Sequence, residues 1–285
     1  TPDFLICGAA KSGTTSLFHY LGQHPRIYTP DQKEPGYFSA LRSFDSPVRY
    51  AQLFKEASSE EIVGEASGAY LTSPDSALRI ARALPKVKIV IMLRNPADRA
   101  YSLYLWMARE GYEWCRSFKS ALQKEKQRRG NIDFARNNPE YYYNFLYQTT
   151  GAYSRQVERY TNHFDRAQIY FLTFDDFIKK PTVYTRRVFR FIGIEDYTSF
   201  HTPVQNAGTG VFSPGLQFWL RHHAKRIANR VPLGHLITEK IMQLNASGEK
   251  PQIDEYHRRK MLQRYQKDIE RTESTIKKDL SSYWL

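Results

Sequence analysis

The order of elements at the start of the chain restricts the fold more than any other feature. Phe4-Leu-Ile-Cys-Gly-Ala-Ala-Lys-Ser-Gly-Thr-Thr-Ser-Leu-Phe18 passes from an apolar run to small residues around Lys11, then to a helical pattern opening at Thr14. A strand, a short loop and a helix in that order form an anion cradle, because the first N–H groups of a helix lack internal partners and its dipole favours negative charge there. Gly8 and Gly13 have the spacing G-x-x-x-x-G, but Thr14-Thr15 stands where a nucleotide triphosphatase carries Lys-Ser/Thr. The lysine sits inside the loop instead, which suits a shorter anion with Lys11 aimed at a bridging or leaving oxygen. An ordinary strand–turn–helix with a solvated lysine is the alternative.

A second segment repeats the arrangement. Lys88-Ile-Val-Ile-Met-Leu93 reads as a buried parallel strand. It runs into Arg94-Asn-Pro-Ala-Asp-Arg-Ala-Tyr-Ser102, with Pro96 suited to the first turn of a helix. Arg94 at the carboxyl end of a strand, with a hydroxyl at Ser102 on the helix that follows, fits a second phosphate. An ion pair between Arg94 and Asp98 is the competing reading.

Together these segments resemble the sulfotransferase family, enzymes that use 3′-phosphoadenosine 5′-phosphosulfate (PAPS) as co-substrate. The resemblance implies that Lys11, Ser12, Gly13, Thr14, Thr15 and Ser16 cradle the 5′-phosphosulfate and that Arg94 and Ser102 hold the 3′-phosphate. Within the family the chain looks most similar to the heparan-type and bacterial carbohydrate enzymes. Leu21–Ile27 followed by Lys33-Glu-Pro-Gly-Tyr-Phe38 resembles the segment with the catalytic glutamate, which makes Glu34 the expected base and Asp31, Glu65 and His24 the fallbacks. Gly64–Tyr70 resembles a loop of the acceptor cleft, and Gly151-Ala-Tyr153, Gln168–Leu172 and Asp175–Phe177 resemble the later third of the fold; Tyr153 is carried over as a nucleotide contact. The likeness covers roughly residues 3–195.

The departures are equally specific. Ala66 stands where the glycan enzymes carry a lysine, so that cation is absent or supplied from elsewhere. The charged late loop that closes on the nucleotide has as its best counterpart Asn206-Ala-Gly208-Thr-Gly210, where Asn206 and Gly208 offer only uncharged donors.

Sulfuryl transfer by in-line displacement needs a cation at the leaving oxygen, N–H donors around the anion and a base for the attacking hydroxyl. Lys11, the Ser12–Ser16 backbone and Glu34 match those parts. No metal is expected: the histidines form no H-E-x-x-H, and His222 and His223 would point about 100° apart on a helix. Cys7 and Cys115 form no C-x-x-C, and Cys7 reads as a small buried hydrophobe.

At 285 residues and 41% hydrophobic, the chain is expected to form a single domain over 1–285, with a helical part from about residue 213. Strands are expected near 3–8, 27–29, 62–65, 87–93 and 168–173, and helices near 14–22, 74–84, 96–109, 116–128, 152–163, 182–192 and 256–271. That alternation predicts an α/β fold, a parallel sheet flanked by helices. No apolar run reaches the about 18 residues that a membrane span needs, so none is expected. The scarcity of cysteine slightly favours the cytoplasm, with the Golgi lumen open if an upstream anchor exists.

Part of the net charge of +13 serves the co-substrate, and more lies in two clusters, Lys124, Lys126, Arg128, Arg129 and Arg136, then Arg221, Lys225, Arg226 and Arg230. Such charge can steer an acidic glycan, or an acyl alcohol on an acidic carrier protein; a lipid alcohol is also open as acceptor. Tyr141, Tyr142, Tyr143, Phe145 and Tyr147 either wall an acceptor site or pack a loop onto the core. Basic residues with abundant aromatics also permit a nucleic-acid-binding protein with a degenerate nucleotide fold, but no RRM, KH or zinc motif supports it. The expected partner is therefore a hydroxyl-bearing acceptor and no nucleic acid.

Overall fold

The computed structural model describes all of the chain except residues 40–45, 59–60, 139, 204–209, 225–233 and 248–250. It gathers into two compact units, the first made of residues 1–95, 152–205 and 266–285, the second of residues 96–151 and 206–265.

The first unit is built on a parallel sheet. Its strands are β1 (Phe4–Ile6), β2 (Ile27–Tyr28), β3 (Ile62–Ala66), β4 (Lys88–Leu93) and β5 (Ile169–Thr173), in the order β2-β3-β1-β4-β5. Phe4 lies opposite Gly64 on one side and Lys88 on the other, and Ile89 opposite Ile169. Phe4, Ile6, Val90 and Met92 join one apolar cluster with Leu17, Leu21, Val188 and Phe189 from helices α1 (Thr14–Leu21) and Pro181–Ile192. Leu5, Ile89 and Ile91, alternating with them along the strands, are fully buried too. Both faces are thus covered, which is why these strands read as continuous apolar runs. Each fully buried Leu, Ile or Phe stabilises the unit by about 1.5–3 kcal/mol. At the chain's end Trp284 is buried, its Nε1–H donating to Asp175 at 3.0 Å and its carbonyl accepting from Asn95.

The second unit is mainly helical. Helix α2 (Pro96–Arg109) has Pro96 in its first turn and coincides with the expected helix; α3 (Phe118–Arg128) opens on a capping box of Ser117 and Ser120; α4 (Pro214–Trp219) opens on Ser213, whose Oγ accepts from the Leu216 N–H at 3.2 Å. At its centre Glu113 takes both Arg128 nitrogens, at 2.6 and 2.8 Å, with the Tyr147 hydroxyl and the Cys115 N–H. Buried Arg99 donates to the Tyr147 carbonyl and the Thr150 hydroxyl, both at 2.9 Å.

Candidate active site

The carboxyl ends of β1, β3 and β4 bring the sequence-derived residues of the first unit together. In the order β2-β3-β1-β4-β5, the chain leaves β1 toward one side and returns on the other, and ligands in open α/β sheets bind at such a switch. The loop after β1 is stitched to β4 on one side: Ala9 N–H donates to the Met92 carbonyl at 2.7 Å, and Met92 N–H to that of Gly8 at 2.8 Å. Toward β3, Leu71 N–H donates to the Cys7 carbonyl at 2.8 Å.

Within this loop the backbone follows the shape of a cradle. Gly8 has φ +131°, and a Cβ there would lie 2.9 Å from Leu71 Cβ, so only glycine fits. Gly13 has φ +88° and caps α1, which receives no side-chain cap. Lys11 adopts φ +67°, a left-handed conformation costing about 1–2 kcal/mol for a residue with a Cβ and held where the surroundings dictate it. Ser12 is fully buried, and its Oγ has no hydrogen-bond partner. A buried hydroxyl without a partner in a loop of this shape can donate to a ligand. Thr14 is buried beside it, with Thr15 and Ser16 half-buried.

Arg94 completes this edge. It follows β4 directly, donates from Nη1 to the Lys11 carbonyl at 3.0 Å, and stacks its guanidinium 4.4 Å from the Phe174 ring centroid. Tyr153 is fully buried; its hydroxyl donates to the Arg94 carbonyl at 2.9 Å and its N–H to Asp268 at 2.6 Å, so it supports Arg94 from within. Asp98 accepts from Arg258 at 3.0 Å.

Glu34 lies in a loop clamped onto the end of β3. Its N–H donates to the Ala66 carbonyl at 3.0 Å, its Oε2 accepts from the Gly68 N–H at 2.8 Å, and its Oε1 meets Lys33 Nζ at 2.8 Å. Its φ of +60° makes it, like Lys11, a side-chain-bearing residue in left-handed space. The side chain keeps 36% of its surface exposed, so a substrate can reach it.

Glu65, expected only as a fallback base, sits in a buried hydrogen-bond network that the sequence does not reveal. Glu65 is fully buried and accepts from Tyr50 at 2.7 Å, Tyr70 at 3.0 Å and Ser67 at 2.6 Å. Burial, with the nearby charge of Glu34, pushes its carboxyl up to about 7 against the pull of those donors. Ser67 in turn accepts from the Gly36 N–H at 3.0 Å, tying Glu65 to the loop of Glu34. Sealed in this way, the Glu65 carboxyl is closed off from solvent and braced against the loop that carries Glu34. Of the other fallbacks, His24 is buried between Phe189 and Tyr197, with burial lowering its pKa, and Asp31 is exposed.

Ser102 belongs to the second unit, where it is buried on α2. Asn206 and Gly208, like Lys225, Arg226 and Arg230, lie outside the described residues. The tyrosine-rich stretch resolves toward packing: Tyr141, Tyr142, Phe145 and Tyr147 are buried, and Tyr142 donates to the Arg128 carbonyl at 3.0 Å. Arg128 leaves the basic surface cluster, because Glu113 holds it inside. The His222 ring packs 4.3 Å, centroid to centroid, from that of Phe218.

The profile of the sulfotransferase domain matches residues 1–206. The chain belongs to the sulfotransferase family. A sulfotransferase from Alicyclobacillus acidocaldarius shares its fold with a TM-score of 0.74 at 29% identity, over 99% of this chain and 98% of that one. The bifunctional heparan sulfate N-deacetylase/N-sulfotransferase 2 of Homo sapiens is 26% identical over 70% of this chain, and the membrane-associated sulfotransferase kil1 of Dictyostelium discoideum 35% identical over 36% of it. This sulfotransferase spans only 23% and 22% of the length of those two relatives. Among the described residues no helix is long and apolar enough to cross a membrane, and no group of His, Cys, Asp and Glu could hold a metal ion.

Proposed function

We propose that this sulfotransferase moves a sulfuryl group from PAPS to a hydroxyl or amine of a carbohydrate. The observation that carries the reading is the loop after β1, where the orphaned buried Ser12 hydroxyl, the uncapped start of α1 and Gly13 form a cradle for a small anion. Those residues fit the phosphosulfate, and Arg94 beside them fits a further phosphate. The carbohydrate half rests on the heparan sulfate enzymes among the relatives. PAPS, when bound, brings an activated sulfuryl group joined to a phosphate that can leave.

The chain supplies the rest. The Gly13–Ser16 N–H groups and the Ser12 hydroxyl hold the anion in a fixed orientation, while the Ser12 N–H donates to the Ala9 carbonyl and braces the loop; fixed dipoles need no reorganisation as charge develops. Lys11, the loop's lysine, neutralises charge at the leaving oxygen. Arg94, anchored on the Lys11 carbonyl, keeps the phosphate ends in line. Glu34, oriented by Gly68 and Lys33, accepts the proton of the attacking hydroxyl or amine. Ala66 leaves the site without the lysine of the glycan enzymes, and Lys33, at 2.8 Å from Glu34, supplies a cation in its place.

Transfer of radiolabelled sulfate from PAPS to N-deacetylated heparosan tests this reading. General-base catalysis contributes about 10²–10⁴-fold, so Glu34→Gln should lose about that much turnover with product-nucleotide affinity unchanged. A variant with full activity would remove Glu34 from the mechanism.

A further inference from the structure

The second unit contains a pocket of its own. It has a volume of about 880 Å³, within the range of small-molecule sites, and is formed by α3, α4 and the segments beside them. Trp114 and Trp219 line it, although each residue is half exposed, at 48% and 50%. Large aromatics are normally turned inward, and two left open in one concavity offer flat faces for a ring to stack on.

The charge around the indoles is of one sign. Arg116, Lys124 and His223 line the pocket, and no Asp or Glu is among its described lining residues. Lys124 Nζ sits 5.5 Å from the Trp114 ring centroid, and the His223 ring 6.5 Å from that of Trp219. Each aromatic face therefore has a basic side chain beside it; Lys124 also donates to Gln127 Oε1 at 3.0 Å, and the Gln123 amide and the Gln127 NH₂ suit hydroxyl groups. A ring with hydroxyls around its edge and a carboxylate or sulfate attached meets all three features. A plain acyl chain would use the indoles and leave the amides and cations unmatched.

We propose that this pocket binds an anionic saccharide. It deepens the carbohydrate reading of the active site, but its test uses no turnover. A heparin-derived hexasaccharide should change the tryptophan fluorescence of the protein in the absence of PAPS. Trp114→Ala and Trp219→Ala should each weaken that binding about tenfold or more, the usual consequence of truncating an aromatic anchor. Lys124→Glu should weaken it comparably and leave binding of uncharged maltohexaose unaffected. Because these side chains are half exposed, the variants should keep the melting temperature of the parent and its response to adenosine 3′,5′-bisphosphate.

Hexasaccharide affinity within twofold of the parent in both tryptophan variants would overturn the proposal, as it would mean that net charge alone binds the polyanion. Equal affinity for maltohexaose, or a fluorescence response to decanoate that the hexasaccharide cannot displace, would overturn it too. Saccharide binding without sulfate transfer to any carbohydrate would refute the reading of the active site and leave the pocket standing.

Discussion

Glu65 makes the stability of this protein depend on pH in an unusual direction. Its carboxyl has an ordinary value of 4.5 in an exposed chain and about 7 in the fold, where burial disfavours the charge. Between those values the native state holds a proton that the unfolded chain has released. Its contribution is therefore complete below pH 4.5 and is lost as the pH rises through 7, the reverse of a salt-bridged carboxylate. At about 1.4 kcal/mol per unit of pKa, the gap corresponds to about 3 kcal/mol. Glu65→Gln keeps the shape and removes the titration. Its altered hydrogen bonding with Tyr50, Tyr70 and Ser67 adds an offset that is the same at every pH. Urea unfolding of both proteins from about pH 4 to about pH 8 should show the parent's advantage over the variant shrinking by about 3 kcal/mol as the pH rises. Groups common to both proteins cancel in this difference. A flat difference would mean that Glu65 titrates normally and that its burial is not what it appears from its contacts. A difference that grows with pH would mean that the three hydroxyls outweigh burial and hold it as a carboxylate.

Two further substitutions address separate parts of the account. Gly13→Ala places a Cβ 3.0 Å from Phe174 and 3.2 Å from Met92 at φ +88°; it should cost about 1–2 kcal/mol in urea unfolding and abolish stabilisation by adenosine 3′,5′-bisphosphate. Glu113→Gln leaves Arg128 buried without its countercharge and should destabilise the protein by about 3–5 kcal/mol. Burial pushes Glu113 upward, but the hydrogen bonds and charge of Arg128 outweigh it and hold the carboxyl below its ordinary range. The contribution of this pair is present above the ordinary carboxylate value and lost as the pH falls through the lowered one, which acid unfolding of parent and variant would show.

Where period and punctuation agreed, the sequence was legible. Strand Lys88–Leu93 and helix Pro96–Arg109 announce themselves by an apolar run and by Pro96, and both fall where expected. Helices Pro47–Gln52 and Phe174–Lys179 were not anticipated, although Ser46-Pro47 and Thr173 mark their starts; at six residues each they are too short to show a period. Lys11, Ser12, Gly13, Arg94 and Glu34 could be named because their order along the chain carries them to one sheet edge. The role of Glu65 could not be named, because its partners Tyr50 and Tyr70 lie 15 and 5 residues away and only tertiary packing seals them together. The same limit applies to Arg128, a surface charge by spacing that Glu113 takes inward, and to Tyr142 and Tyr147, whose hydroxyls find partners inside the second unit.

The central claim is that the loop after β1 and Arg94 together hold a nucleotide bearing two phosphate groups, and binding of adenosine 3′,5′-bisphosphate tests it most directly. At a hundred times its dissociation constant the ligand should stabilise the protein by about 2.7 kcal/mol, a rise in melting temperature of roughly 5–10 °C. The account predicts this rise without magnesium, its loss in Lys11→Ala and Arg94→Ala, and none of comparable size with ATP and magnesium. A rise with magnesium-ATP alone, or none with either nucleotide, would contradict it.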